Sequence, residues 1–154
     1  MPPATLRALH RDGVGHLESP DVDLRWPDAD RRTLSYRIDA LDRRPDAWPY
    51  LLQVAIGADG ELLGRVGCHE APDGFGEVEI GYYVAESRRG AGLGGRIVDA
   101  FLGWLREHSV ERVSASVRPD NVPSLRILER RGFVRTGTQI DDEDGLELVL
   151  TRAL

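Results

Sequence analysis

The chain contains no lysine, because all 20 of its basic residues are arginine. A Walker-type phosphate loop and a lysine Schiff base both require a lysine amine, so both chemistries are excluded. The single cysteine, Cys68, cannot form an internal disulfide. There are only 4 histidines, and no HxxxH or CxxC spacing occurs, so we expect no bound metal.

Long apolar runs are also missing. No stretch approaches the length of a membrane-spanning helix, and the first residues lack the apolar run of a signal peptide. We therefore expect a cytoplasmic protein without membrane association. The formal net charge of −6 and the absence of a strongly basic domain argue against nucleic acid as a main partner.

The pattern of apolar residues predicts one mixed α/β domain over residues 1–154. A short strand is possible over 5–11, and 27–43 has the period of a weakly amphipathic helix. Two apolar runs separated by Ala58-Asp59-Gly60 are typical of a β-hairpin, and 77–85 predicts a third strand. Apolar residues at helical spacing then predict a long helix over 91–107.

The last third of the sequence alternates between strand and helix patterns. Apolar residues at every second position predict a strand over 113–117. A helix follows, with Asn121 as its cap, Pro123 in its first turn and Gly132 at its end. Two final strands are predicted over 133–140 and 146–151, joined by the acidic turn 141–144.

The turn between the third strand and the long helix is rich in arginine and glycine: Arg88, Arg89, Gly90, Gly92, Gly94 and Gly95. Amide groups at a helix N-terminus lack intrahelical partners, and the helix dipole adds positive charge there. Glycines let an anion approach the backbone closely, and arginine adds a charge-assisted donor. The turn therefore predicts a phosphate or pyrophosphate cradle, with a merely tight connection as the alternative.

Two blocks carry a family resemblance. The segment Arg89-Gly90-Ala91-Gly92-Leu93-Gly94 has the form Arg/Gln-x-x-Gly-x-Gly/Ala. The segment Asn121-Val122-Pro123-Ser124 through Glu129-Arg130-Arg131-Gly132-Phe133 has the form Asn-x-x-Ser/Ala followed by Gly-Phe. In this order and spacing, over about residues 50–137, the sequence resembles the GNAT superfamily of acyl-CoA-dependent N-acetyltransferases.

The resemblance implies a mixed, mostly antiparallel sheet flanked by helices, and an enzyme that moves an acetyl group from acetyl-CoA to a primary amine. The acceptor would be a small molecule or a protein N-terminus, attacked directly in a ternary complex. A homodimer is plausible because the family often pairs. The alternative is a non-catalytic CoA-binding sensor or regulatory domain.

The resemblance also assigns site residues. The cofactor would contact backbone groups of the third strand, the cradle and the capping asparagine, which are Tyr82, Tyr83, Val84, Arg89, Gly90, Ala91, Gly92, Leu93, Gly94, Gly95 and Asn121. Many members carry a tyrosine as general acid where this chain has Leu128. Ser124 is the candidate replacement, as in the branch that resembles ribosomal-protein N-terminal acetyltransferases.

The general base must take a proton from the acceptor ammonium, a task that suits a carboxylate or an imidazole. Glu79 is the first candidate, with an ordinary outward-facing strand residue as the alternative interpretation. Glu77 lies two residues earlier on the same face and is a weaker candidate. His69 and Glu70 either line the acceptor cleft or lie on the surface.

Overall fold

The computed structural model describes residues 14–16, 23–25, 31–57 and 61–154, with side chains described from Thr33 onward. Strands β1 (Val14–His16) and β2 (Asp23–Arg25) pair antiparallel with each other. The strand expected over 5–11 and the hairpin tip at 58–60 lie outside the described residues.

A six-stranded sheet forms the centre of the molecule, in the order β3-β4-β5-β6-β8-β7. Its strands are β3 (Gln53–Ile56), β4 (Leu62–Cys68), β5 (Glu77–Val84), β6 (Arg112–Val117), β7 (Val134–Asp141) and β8 (Gly145–Ala153). Every neighbouring pair is antiparallel except β5 and β6, which run parallel. The prediction of a mixed, mostly antiparallel sheet is confirmed.

The described residues form four α-helices beside the sheet: α1 (Arg31–Arg43), α2 (Trp48–Leu51), α3 (Leu93–Glu107) and α4 (Val122–Glu129). Helix α3 begins two residues later than the predicted span of 91–107, because Gly92 has a left-handed backbone with φ of +71° and forms the N-cap. Residues 27–30 of the predicted first helix lie outside the described residues.

The two faces of the sheet carry separate apolar clusters. On β4, Val66 and Cys68 face the cluster that contains Phe101 and Leu105 of α3. Between them in sequence, Gly67 faces the opposite way, where a Cβ would overlap the backbone of Leu51 at the end of α2. This alternation places α3 on one face and α1 with α2 on the other.

The parallel pair β5–β6 is short and then opens. It includes only Glu77 with Arg112, Val78 with Val113, and Glu79 with Ser114. Beyond Glu79, β5 continues along β4, while β6 continues along β8. The sheet therefore forks after Glu79 and Ser114, and residues 80–84 have no ladder partner on their β6 side in the described chain.

Candidate active site

A cavity of about 820 Å³ lies at this fork, on the side of α3 and α4. Its walls come from the end of β5, the turn before α3, the first turns of α3 and one side of α4, and the lining residues are Tyr82, Tyr83, Val84, Arg88, Arg89, Gly90, Gly92, Leu93, Gly94, Gly95, Asp99, Asn121, Pro123, Ser124, Arg126, Ile127, Arg130 and Arg131. We call it the fork cavity. Ala91 is the one predicted cofactor residue that does not line it.

The glycine-rich turn supplies the floor of the fork cavity. Gly90 and Gly92 have φ values of +84° and +71°, a region that residues with a Cβ rarely adopt. No side chain caps α3 at Gly92, so the first turn has no such partner for its unpaired amides. Together with the helix dipole, this arrangement suits an anion.

The fork cavity is basic although the chain as a whole carries a net charge of −6. Among the residues that the structure describes, five arginines and one acidic residue, Asp99, line it. Arg89 donates a hydrogen bond from Nε to the carbonyl of Val84 at 3.2 Å, and its guanidinium lies 5.6 Å from the centre of the Tyr83 ring. Such a concentration of guanidinium groups favours a ligand with several negative charges.

Arg131 connects α4 to the first turn of α3. Its Nε donates to the carbonyl of Gly95 at 3.0 Å, its Nη1 donates to the carbonyl of Ile127 at 3.0 Å, and its Nη2 pairs with Asp99 at 2.7 Å. Only 17% of its side chain is exposed. Sequence patterns did not identify this role, because it depends on how the two helices pack together.

The start of α4 closes the other side of the fork cavity. The Asn121 side-chain oxygen accepts a hydrogen bond from the Ser124 amide at 3.3 Å, which confirms the predicted cap. The Tyr82 hydroxyl donates to the Ser124 carbonyl at 3.3 Å. Burial raises the pKa of Tyr82, so the phenol stays protonated at neutral pH.

Leu128 lies away from the fork cavity and is fully buried in the core on the α3 side. Phe101 is buried in the same core, and its ring stacks on that of Trp104 with the ring centres 5.7 Å apart. Cys68 also belongs to this core, and burial raises the pKa of its thiol to about 12.

Glu79 lies at the fork itself but does not line the fork cavity. Its side chain is on the opposite face of the sheet, which carries α1. His69 directly follows β4, the strand next to β5, and its backbone amide donates a hydrogen bond to the Glu79 carbonyl at 2.8 Å. The two candidates Glu79 and His69 are therefore cross-strand neighbours, a pairing that the sequence did not predict.

The other predicted carboxylates are already engaged. Glu77 accepts a hydrogen bond from Arg112 at 2.7 Å at the closed end of the fork. Glu70 is ion-paired with Arg43 of α1. The pKa of His69 is lowered by desolvation first and by the Arg37 guanidinium second, against the attraction of Glu79 and Glu70. Its imidazole is thus neutral near pH 7.

Arg37 of α1 is the residue on this face that sequence patterns missed. It is 6% exposed, the only buried polar side chain among the described residues. Its position, three residues after Leu34 and three before Ala40, belongs to the apolar stripe of the helix. An arginine there gives no periodic signal.

Comparison with known proteins agrees with this geometry. A model of the acetyltransferase (GNAT) domain matches residues 5–134. The chain belongs to the GNAT acetyltransferase family. It is 33% identical to an L-methionine sulfoximine/L-methionine sulfone acetyltransferase of Pseudomonas paraeruginosa, over 94% of this chain and 83% of that protein.

Two further relatives support the family. An L-methionine sulfoximine/L-methionine sulfone acetyltransferase of Pseudomonas aeruginosa is 33% identical over 66% of this chain and 62% of its own length. The crystal structure of a ribosomal-protein-alanine N-acetyltransferase from Brucella melitensis is 25% identical, with a TM-score of 0.62 over 79% of this chain and 78% of that one. As a GNAT enzyme, this protein transfers an acetyl group to an amine.

Neither a metal cluster nor a membrane helix was found in the described ranges. No group of three or more His, Cys, Asp or Glu side chains is arranged to hold a metal ion there. None of the described helices is long and apolar enough to cross a membrane.

Proposed function

We propose that the fork cavity binds acetyl-CoA and that the amine reaches the thioester from the α1 side of the fork. The observation that carries this proposal is the junction of an uncapped, glycine-rich helix start with a fork in the central sheet. The GNAT family generally uses acetyl-CoA, and the residues present fit it. Arg89 and the amides of α3 suit the pyrophosphate, and Asn121 lines the opposite wall.

The forked strand suits the pantetheine arm. Residues 80–84 of β5 present backbone groups toward the space that β6 vacates. The amides of a pantetheine chain can pair with such an edge as a short strand would. Tyr82, Tyr83 and Val84 are therefore assigned to the arm, and Arg89 through Gly95 to the pyrophosphate, with Ala91 contributing backbone only.

The reaction is a direct transfer in a ternary complex. Glu79 accepts a proton from the acceptor ammonium, and the freed amine nitrogen attacks the thioester carbonyl carbon. A new C–N bond forms, the C–S bond breaks, and the sulfur leaves with the bonding pair. The second amine proton is released as the amide forms, so one proton goes to the thiolate and one to solvent.

The groups that can protonate the leaving thiolate lie on the α4 side of the fork. Ser124 was the candidate acid from the resemblance, and Tyr82 contacts the same residue through its hydroxyl. A thiol has a pKa of about 8.5, so the thiolate leaves without obligatory protonation. We therefore assign Ser124 and Tyr82 an assisting role in orienting the arm and protonating the sulfur.

The acceptor is proposed to be a small amine. The Pseudomonas relatives are named for two methionine derivatives, whereas the Brucella structure is named for a ribosomal protein. The first relative covers more of this chain and is more similar in sequence.

We also propose that residues 1–154 act as one cytoplasmic N-acetyltransferase domain. Its acetyl-CoA-binding core would lie at about 50–137, and a homodimer stays a prediction.

Acetyl-CoA binding and turnover can be separated experimentally. Isothermal titration should show binding of CoA, and a panel of amines mixed with acetyl-CoA should release thiol with matching formation of the acetylated amine. Binding without any product over a broad panel would support the alternative of a CoA sensor. Absence of CoA binding would refute the assignment of the fork cavity.

A further inference from the structure

On the face opposite the fork cavity, three cross-strand pairs of β4 and β5 lie side by side. They are His69 with Glu79, Gly67 with Gly81, and Arg65 with Tyr83. Two glycines face each other in the middle of this surface. The backbone of Leu51 packs over Gly67, so the gap between the larger pairs lies over Gly81 alone. The gap begins one residue pair from the fork, where Glu79 lies.

Arg37 extends from α1 into this gap. A Cβ built on Gly81 would lie 3.8 Å from Arg37 Nη2 and 3.2 Å from His69 Nε2. A Cβ at this position would crowd the His69 ring and make ordinary contact with the guanidinium, which therefore lies directly over Gly81 of β5.

The guanidinium is attracted by the charges of Glu70 and Glu79 but is paired directly with neither. Its Nε is buried and has no hydrogen-bond partner in the described part of the chain. The nearby carboxylates of Glu70 and Glu79 form no ion pair with it, and Glu70 is already paired with Arg43. A buried cation without a hydrogen-bonded anion is unfavourable, so its retention points to a partner that arrives from outside.

Other groups around it do not relieve this charge. Arg65 is itself a cation; it donates to Thr33 of α1 at 3.2 Å and lies 5.3 Å from the Tyr83 ring centre. Burial lowers the pKa of Arg37 to about 10, so the group remains charged at neutral pH. The region beside Glu79 thus combines a fixed positive charge with a candidate base.

We propose that Arg37 binds the carboxylate of the acceptor, so that the acceptor is a free amino acid whose amine is held beside Glu79 at the fork. This inference rests on the proposed function and narrows its substrate class. A guanidinium matches a carboxylate with two parallel hydrogen bonds, which orients as well as binds it. A protein N-terminus lacks a carboxylate next to its amine and would leave Arg37 unpaired.

The wild-type protein provides the first test. Acetylation is measured by mass spectrometry for the common L-amino acids and L-methionine sulfone, each compared with its α-carboxamide. For the amino acids that react, kcat/KM should exceed that of the carboxamide by about 10- to 100-fold, the value of a hydrogen-bonded charge pair. Equal values within each pair, or reaction of peptide N-termini alone, would overturn the proposal.

The second test uses Arg37→Met, which keeps the buried length without the charge. The preference for the acid over the carboxamide should shrink to near one, mainly through KM, while CoA affinity is unchanged. Arg43→Met, on the exposed side of α1, should keep the wild-type preference. An unchanged preference in Arg37→Met would exclude a carboxylate contact.

Two outcomes are kept apart by design. If Arg37→Met does not fold cooperatively, Arg37→Lys and the wild-type preference for the acid over the carboxamide decide. Lysine keeps the charge but loses the paired hydrogen bonds, so its preference for the acid should be intermediate. Loss of CoA binding in the wild type would refute the proposed function. Acetylation of carboxamides as readily as acids refutes only the role of Arg37.

Discussion

The guanidinium of Arg131 lies in the space that a side chain on Gly95 would occupy. The same group donates to the Gly95 carbonyl at 3.0 Å and pairs with Asp99, so it fixes the first turn of α3 against α4. The second glycine of Gly94-Gly95 is therefore required by helix packing as much as by the ligand.

Gly95→Ala should destabilise the protein by about 1–3 kcal/mol, because the added methyl displaces a guanidinium held by three hydrogen bonds. Affinity for acetyl-CoA should fall with it, since the displaced turn forms the cradle. Gly103→Ala in the same helix is the control: its site is open, and alanine should stabilise by about 0.5–1 kcal/mol. Urea unfolding measures both; equal effects would contradict the packing argument.

Arg89→Ala should weaken acetyl-CoA binding by about 10- to 100-fold, the value of a charge-assisted contact to phosphate. Gly92→Glu should weaken it as well, because the new side chain is both negative and strained at φ of +71°. Arg106→Ala, in the last turn of α3, serves as the matched arginine control. Titration calorimetry that finds unchanged affinity in both cradle variants would remove the assignment.

Glu79→Gln should lower kcat by about 10²- to 10⁴-fold with little change in CoA affinity, because a general base is lost while the cradle is intact. Glu77→Gln is the control, since that carboxylate lies on the same face but is engaged with Arg112 at 2.7 Å. A wild-type kcat in Glu79→Gln would exclude Glu79 as the base.

The position of Leu128 gives a prediction that runs against the family pattern. Restoring the tyrosine found in many members, as Leu128→Tyr, should not improve catalysis, because this side chain is fully buried in the core. It should instead cost about 1–3 kcal/mol through overpacking. Leu128→Met should cost less than about 1.5 kcal/mol. A faster, equally stable tyrosine variant in kinetic and unfolding assays would contradict this.

Cys68 should react with a chromogenic disulfide reagent only after unfolding, because burial raises its pKa from 9.0 to about 12. The raised pKa of the Cys68 thiol adds to the free energy of unfolding below pH 9.0, and this contribution is lost as the pH rises toward about 12. Wild type should therefore lose more stability in alkali than Cys68→Ala, as unfolding at several pH values can measure.

The strand, glycine-rich turn and helix that form one wall of the fork cavity were predictable because they are contiguous in 77–107. The pairing of Gly67 with Gly81 was not, since it depends on the register of β4 against β5. Arg37 lies on α1 and Arg131 just after α4, and the neighbours of both are set only by tertiary packing. Sequence patterns therefore indicated the glycine-rich wall of the fork cavity but not the arginine on the α1 side of the sheet.

The fork in the sheet also bears on solubility. An edge strand with unpaired amides ordinarily invites pairing with another molecule and hence aggregation. Here the unpaired edge of β5 lies inside the sheet, between β4 and the departing β6, where another protein's strand meets steric exclusion. A narrow ligand with peptide-like amides is thin enough to pair with this edge. The fork would therefore keep a hydrogen-bonding edge for the ligand without offering it to other protein molecules.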